Sequence, residues 1–223
     1  MIKNLIESSL NLLFPPVCGI CGKLSEKYLC SACYEFMRLQ ERNRIDTYED
    51  KNFSEHFWIY EYKSEIRERI IDYKFNDKSY IFRTFVELIL RNKEAVAYIK
   101  SFDIIVPVPI HKKRLKQRGY NQSYLIAKAL INRIENVKLI SDMIIKIKNV
   151  SPQSSLNKIE RQKNILGAYV ANEKYTIKAK DFDGKRILLI DDVYTTGSTL
   201  NECARVLKQI YSADVETFTT AKD

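Results

Sequence analysis

Apolar positions along the chain fall into two alternating patterns. Short unbroken runs at residues 104–106 and 187–190 have the profile of strands buried on both faces of a parallel sheet. "HFWIYEYK", residues 56–63, is aromatic and β-branched and predicts a further strand. Helical spacing fills the intervals. "SEIRERIIDYKFNDKSYIFRTFVELIL" predicts two helices broken near Asn76 and Asp77. The first carries Ile66, Ile70 and Tyr73 on one face, and the second Ile81, Phe85, Leu88 and Ile89. Asn121 is placed to cap a helix bearing Leu125, Ala129 and Leu130. Leu200, Cys203, Ala204, Leu207, Ile210 and Tyr211 line one side of a last long helix. Strands alternating with helices predict the α/β class, a mostly parallel sheet flanked by helices.

The strand at 187–190 leads into the most informative stretch, "KRILLIDDVYTTGSTL" (185–200). Asp191 and Asp192 follow the apolar run, and Val193 and Tyr194 lead into Thr195, Thr196, Gly197, Ser198 and Thr199 at a helix start. Ligands of open α/β sheets sit at strand carboxyl ends. Unpaired N–H groups and the dipole of a helix N-terminus favour an anion there. The loop therefore suits a phosphate. The carboxylates would repel that phosphate but suit hydroxyls or a divalent cation beside it. A phosphate with a diol next to it is a sugar phosphate. The bland alternative is an ordinary strand–turn–helix with a solvated Asp pair.

A second strand feeds a cationic stretch. Pro107 and Pro109 end the run at 104–106. Lys112, Lys113, Arg114, Lys116 and Arg118 follow within seven positions, then Gly119. As a loop this is either a solvated basic surface or a clamp for pyrophosphate, with Arg114 and Arg118 its strongest candidates. A polar segment, 151–172, carries Pro152, Arg161 and Asn164 before a short strand at 168–171. It is either a surface loop or a lid that brings Arg161 over an anionic ligand.

Cysteine spacing adds another chemistry. Cys18-x2-Cys21-x8-Cys30-x2-Cys33 supplies four thiolates to one tetrahedral ion, and Gly19 and Gly22 ease the first turn. Two disulfides do not suit a chain with no secretion signal, and a redox C-x-x-C needs one pair. Structural zinc is the reading left. Cys203, on a helical apolar face, is read as core. Residues 1–45 are thus expected to form an amphipathic helix (Ile2, Leu5, Ile6, Leu10, Leu13) and a zinc-binding module, with residues 34–55 leading out of it as a connector. Residues 46–223 are expected to form the α/β domain.

The 223 residues carry 37 basic and 28 acidic side chains, a net charge of +9. That surplus suits phosphate-rich partners, although a Lys-rich composition produces it without any such partner. No run of 18 apolar residues occurs, so no membrane insertion is expected; Asn4, Glu7 and Asn11 interrupt the first fourteen residues, so no signal peptide is expected, and the address is cytoplasmic by default.

"ILLIDDVYTTGSTL" resembles the phosphoribosyl-pyrophosphate (PRPP) motif of the type I phosphoribosyltransferases. Together with "LLFPPVCGICG…LCSACY", "PVPIHKKRLKQRGYNQS" and "SPQSSLNKIERQKNILGAY", it resembles the ComF (competence protein F) family over nearly the whole chain. The resemblance implies a type I phosphoribosyltransferase-like fold with an N-terminal zinc module. It implies that Asp191 and Asp192 take the ribose hydroxyls, that residues 193–199 take the 5′-phosphate, and that Mg²⁺ accompanies PRPP. It further implies a role in natural transformation. The expected function is PRPP-dependent phosphoribosyl transfer. The alternative is an inactive PRPP sensor that binds single-stranded DNA or a DNA-uptake helicase. An amidophosphoribosyltransferase is not expected, for these residues show neither an N-terminal nucleophilic Cys nor a glutaminase domain. "YKFNDKS" lacks a glycine expected after Lys74 and Phe75.

Overall fold

Strand β7, Arg186–Tyr194, is the axis of the fold, and a computed structural model describes the chain around it over residues 15–150 and 164–223. The expected amphipathic helix at residues 1–14, and Pro152 and Arg161 of the expected lid, lie outside the described residues. In chain order the elements are α1 (Ser31–Arg38), β1 (Arg44–Thr47), β2 (Glu55–Glu61), α2 (Ser64–Phe75), α3 (Ile81–Arg91) and α4 (Lys93–Lys100). Then follow β3 (Ile104–Pro107), α5 (Lys112–Arg118), α6 (Gln122–Ile131), β4 (Lys138–Leu139), β5 (Ile144–Lys146) and β6 (Tyr169–Ala171). The chain closes with α7 (Glu173–Thr176), β7, α8 (Ser198–Ile210) and β8 (Asp214–Lys222).

Six strands form one sheet in the order β1-β2-β8-β7-β3-β4. Only β1 runs antiparallel to its neighbour; β2–β8, β8–β7, β7–β3 and β3–β4 are parallel. β5 and β6 form a separate antiparallel pair. From β3 the chain winds through α6 to the edge strand β4; from β7 it winds through α8 to β8 on the other side. The winding therefore reverses between β3 and β7, which places a ligand crevice at their carboxyl ends.

Alternation along β7 sends successive side chains to opposite faces. Leu188 and Ile190 pack with Tyr73, Phe85, Ile126 and Leu130, from α2, α3 and α6. Ile187 and Leu189 pack with Leu200, Cys203, Ile144 and Tyr169, from α8 and the β5–β6 pair. Both faces are covered, which is why this strand reads as a continuous apolar run. Cys203 is fully buried, as its helical position predicted.

Four local expectations are corrected. β7 does not stop at residue 190. It runs through both aspartates to Tyr194, paired with β8 as far as Tyr194↔Lys222, because the ladder continues opposite a threonine-rich partner strand. The basic stretch is not a loop but helix α5. Lys, Arg, Leu and Gln are good helix formers, the His111 side chain accepts from Lys113 N–H, and Gly119 ends the helix at φ +81°. The connector at 34–55 is not irregular: it takes in the end of α1, which begins at Ser31 inside the cysteine module, and the whole of β1. On α6 the core face is Ile126, Ala127 and Leu130, with Leu125 and Ala129 only partly buried. The helix is rotated because Gln122 and Ser123, at its first turn, are drawn toward the aspartates.

Candidate functional site

The crevice opens because β3 ends early. Its last pair with β7 is Pro107↔Ile190, whereas β7 continues alongside β8. Beyond Ile190 the β3-facing edge of β7 is free, and the N-terminus of α6 covers it. Asn121 caps that helix by accepting from Ser123 and Tyr124 N–H, and its own amide donates to the Val108 carbonyl at 3.0 Å. Gln122 and Ser123 are thereby aimed at the carboxylates. Ser123 Oγ donates to Asp191 Oδ1 at 2.7 Å, and Gln122 Nε2 donates to Asp192 Oδ1 at 3.3 Å.

The two aspartates differ in environment because they point to opposite faces of the sheet. Asp192 is sealed from solvent, and its Oδ2 is held by the Lys74 ammonium at 2.6 Å through charge rather than an aligned hydrogen bond. Asp191 keeps some exposure as a residue, but its carboxyl is enclosed. Burial and the neighbouring Asp192 charge push its pKa up to about 7, against the pull of Lys74 and the Ser123 hydroxyl. One carboxylate is thus neutralised by a cation, and the other is poised between charged and neutral forms.

Downstream, Asp191 and residues 193–200 line a cavity of about 50 Å³. That is room for several waters or one small anion. Gly197 stands at φ +71° as the residue before α8, and a Cβ there would run into the Tyr194 ring. Glycine is therefore required for both conformation and space. Thr196 Oγ1 and Ser198 Oγ lie 2.9 Å apart across the turn, and Ser198 N–H donates to Thr196 Oγ1 at 3.4 Å.

Of the five cations on α5, Arg114 and Arg118 are partly buried while Lys112, Lys113 and Lys116 are exposed. Arg118 Nη1 donates to Gln122 Oε1 at 2.6 Å, and its guanidinium sits 5.4 Å from the centroid of Phe75. Burial, then the like charge of Arg114, lower its pKa. The two arginines are the partly buried α5 cations, and Arg118 is close enough to Asp192 for that charge to act on it. Lys74, Gln122, Ser123 and Lys146 also converge there, and sequence reasoning did not single them out. Lys74 sits in "YKFNDKS", where a signal was visible as a departure from a turn pattern. The other three had none. A larger cavity, about 380 Å³, lies between α5 and α6 around Leu115, Tyr120 and Tyr124, but neither carboxylate lines it.

The second site is the cysteine cluster. The four Sγ atoms of Cys18, Cys21, Cys30 and Cys33 lie within 4.8 Å of one another. Thiolates about 2.3 Å from a shared ion would be about 3.8 Å apart, so the cluster fits a tetrahedral metal. Burial tends to raise the Cys18 pKa, but backbone N–H groups of Cys30, Cys21 and Ile20 overcome it and bring the thiol down to about 7. Burial, with the Cys30 and Cys21 side chains, pushes Cys33 up. These four residues could hold a metal ion.

The parallel sheet, the reversal beside β7, and an Asp pair feeding a hydroxyl-lined turn define a phosphoribosyltransferase-type domain. Residues 121–223 match the phosphoribosyl transferase domain family. Competence protein F of Haemophilus influenzae is 26% identical over 212 residues, covering 93% of this chain and 85% of that protein. Competence protein ComFC of Bacillus subtilis is 29% identical over 215 residues, covering 96% of this chain and 80% of that protein. The DNA utilization protein YhgH of Escherichia coli K12 is 30% identical over 114 residues, 51% of this chain and 47% of that protein. Within the phosphoribosyltransferase-type proteins, the chain is similar over most of its length to the competence proteins F and ComFC. Among the described residues no helix is long and apolar enough to cross a membrane.

Proposed function

We propose that this chain binds PRPP with Mg²⁺ at the β3–β7 crevice and acts in natural transformation, the uptake of DNA. The observation that carries the reading is the juxtaposition of Asp191 and Asp192 with the cavity of residues 193–200 at the winding reversal. The 5′-phosphate occupies that cavity, held by backbone N–H groups and the hydroxyls of Thr195, Thr196, Ser198 and Thr199. The ribose hydroxyls donate to Asp191; Asp192, which the family resemblance also implies for the ribose, is sealed against Lys74 and acts from behind it. Arg114 and Arg118 face the pyrophosphate, and Arg161 belongs to the lid expected from the sequence.

In the transferase form of the reading, the bond from C1 of the ribose to pyrophosphate breaks ahead of attack by an acceptor. Positive charge builds on the sugar and negative charge on the leaving group. The arginines stabilise the second, and the carboxylate pair orients the first. Mg²⁺, when bound, supplies further charge for the pyrophosphate. The names of the relatives support the transformation role. The cysteine cluster is read as a structural zinc site, with residues 1–45 as its module. A second reading keeps PRPP binding without turnover and adds single-stranded DNA or a DNA-uptake helicase as partner. The exposed Lys112, Lys113 and Lys116 beside the site favour it.

Calorimetric titration of PRPP with Mg²⁺ into the metal-loaded protein tests the reading, beside an Asp191→Asn, Asp192→Asn double variant. Binding by the parent and loss in the variant is the expected result. Failure of the folded parent to bind overturns it. Release of pyrophosphate with an acceptor then separates the transferase from the sensor.

A further inference from the structure

The run that lines the small cavity, residues 193–200, contains no basic side chain. A phosphate monoester seated there carries nearly two negative charges, so a cation from elsewhere is called for. Lys74 is committed to Asp192, on the opposite face of β7. Lys51 borders the far side of Ser198, but it pairs with Asp50 at 2.8 Å. Lys146 is placed differently. It ends β5, directly opposite Tyr169 of β6. Its ammonium lies 5.0 Å from the Tyr169 ring centroid, and among the described residues it takes part in no ion pair. Tyr169 is buried against Leu200 and Cys203, and its hydroxyl reaches Thr199 of the turn. The β5–β6 pair therefore sets Lys146 on the α8-covered face of β7, the face of Asp191, close enough for the Asp191 charge to act on it. Burial and the like charge of Arg114 disfavour its ammonium, while Asp191 favours it. A lysine kept partly desolvated beside another cation is one that gains most from an incoming anion.

We infer that Lys146 is the cation of the phosphate subsite: it binds an oxygen of the 5′-phosphate when a ribose 5-phosphate group occupies the turn at residues 195–199. The inference rests on the phosphoribosyl reading and adds to it a residue from outside the motif. Lys146 then serves the phosphate end on one face of β7, while Lys74 stays with Asp192 on the other.

Calorimetry with ribose 5-phosphate, inorganic pyrophosphate with Mg²⁺, and PRPP with Mg²⁺ tests this on the parent, Lys146→Met, Lys146→Arg and Lys51→Met. Circular dichroism checks folding, and Lys146→Gln replaces the Met variant if that one unfolds. Lys146→Met is expected to weaken ribose 5-phosphate and PRPP by a common factor of about tenfold or more, one charge-assisted hydrogen bond. Pyrophosphate affinity stays unchanged, and Lys146→Arg recovers most of the loss. Parent-like ribose 5-phosphate binding by Lys146→Met overturns the inference alone. So does a loss confined to pyrophosphate, or a loss carried by Lys51→Met instead. A folded parent that binds neither sugar phosphate overturns the phosphoribosyl reading and this inference with it.

Discussion

Asp191 is driven toward its neutral form in the free protein, whereas ribose hydroxyls bind best to it as a carboxylate. Its folded pKa lies near 7, raised from the ordinary 3.8 first by burial and then by Asp192. A raised carboxyl pKa means the folded state binds the proton more tightly than the unfolded state. The associated stability is present in full below about pH 4 and is lost as pH rises through about 7. Asp191→Asn keeps an oxygen for Ser123 Oγ and removes the titration. The variant should therefore melt higher than the parent at pH 8, with the difference vanishing near pH 4. A thermal-melt series from pH 4 to 8 checks this, and equal melting at pH 8 would count against an enclosed Asp191. Affinity for PRPP should move the opposite way, rising across the same window as the carboxylate forms. Gly197 makes a second test at this scale. Gly197→Ala forces a side chain into a φ of +71° and into the Tyr194 ring. A stability loss of about 1–2 kcal/mol is expected, with ribose 5-phosphate binding abolished, as read by denaturant melts and calorimetry.

Elements, rather than residues, explain what the chain pattern made legible. Buried strands and the helices that cover them were readable at 104–106 and 187–190, because both faces demand apolar side chains. The break at Asn76 and Asp77 was readable, and Asp77 indeed adopts φ +53°. The aspartate pair and its turn were readable because all their residues lie within one strand–turn–helix unit. What pattern could not supply is convergence across elements. Lys74 lies in the last turn of α2, Ser123 in the first turn of α6 and Lys146 at the end of β5, more than 40 residues from the aspartates in each case. Five close cations looked like a loop because charge gives no period; the His111 cap and helix-forming residues turned them into α5. The Lys74–Asp192 link is the element-scale contact most open to measurement. It joins α2 to the centre of the sheet, with Asp192 almost fully buried. Lys74→Met strands that charge and should cost about 3–5 kcal/mol. Lys74→Met with Asp192→Asn should recover much of the loss. A double-mutant cycle by urea unfolding gives the coupling, and additive losses would show that the pair is not what holds α2 down.

Across the whole molecule, the cysteine cluster is tied to the sheet rather than hung from it. Cys18, Leu29 and Met37 are buried in the same apolar cluster as Phe85 and Leu88 of α3. Gly19 N–H donates to Thr84 Oγ1 at 3.2 Å, and a Cβ at residue 19 would meet that threonine. Arg83 lies 4.4 Å from the Tyr28 ring centroid and Arg91 4.6 Å from that of Tyr34, so α3 grips the cluster through two cation–π contacts. With a metal in the cluster as proposed, its removal takes away the ion that would tie the four thiols together, so the cluster should loosen. Because the cluster covers α3, and α3 packs against α6 and β7, the loosening should reach the β3–β7 crevice. Chelation, or Cys21→Ser at the exposed cysteine of the cluster, should then lower the melting temperature of the whole chain by roughly 5–10 °C in one transition, as expected for ~2–3 kcal/mol at this size. Calorimetry with and without chelator, alongside metal analysis of the untreated protein, makes the measurement. An unchanged main transition, with PRPP affinity intact, would mean that the cysteines serve a partner and leave the fold alone. A joint fall would mean that the metal is part of what holds the carboxylate pair in place.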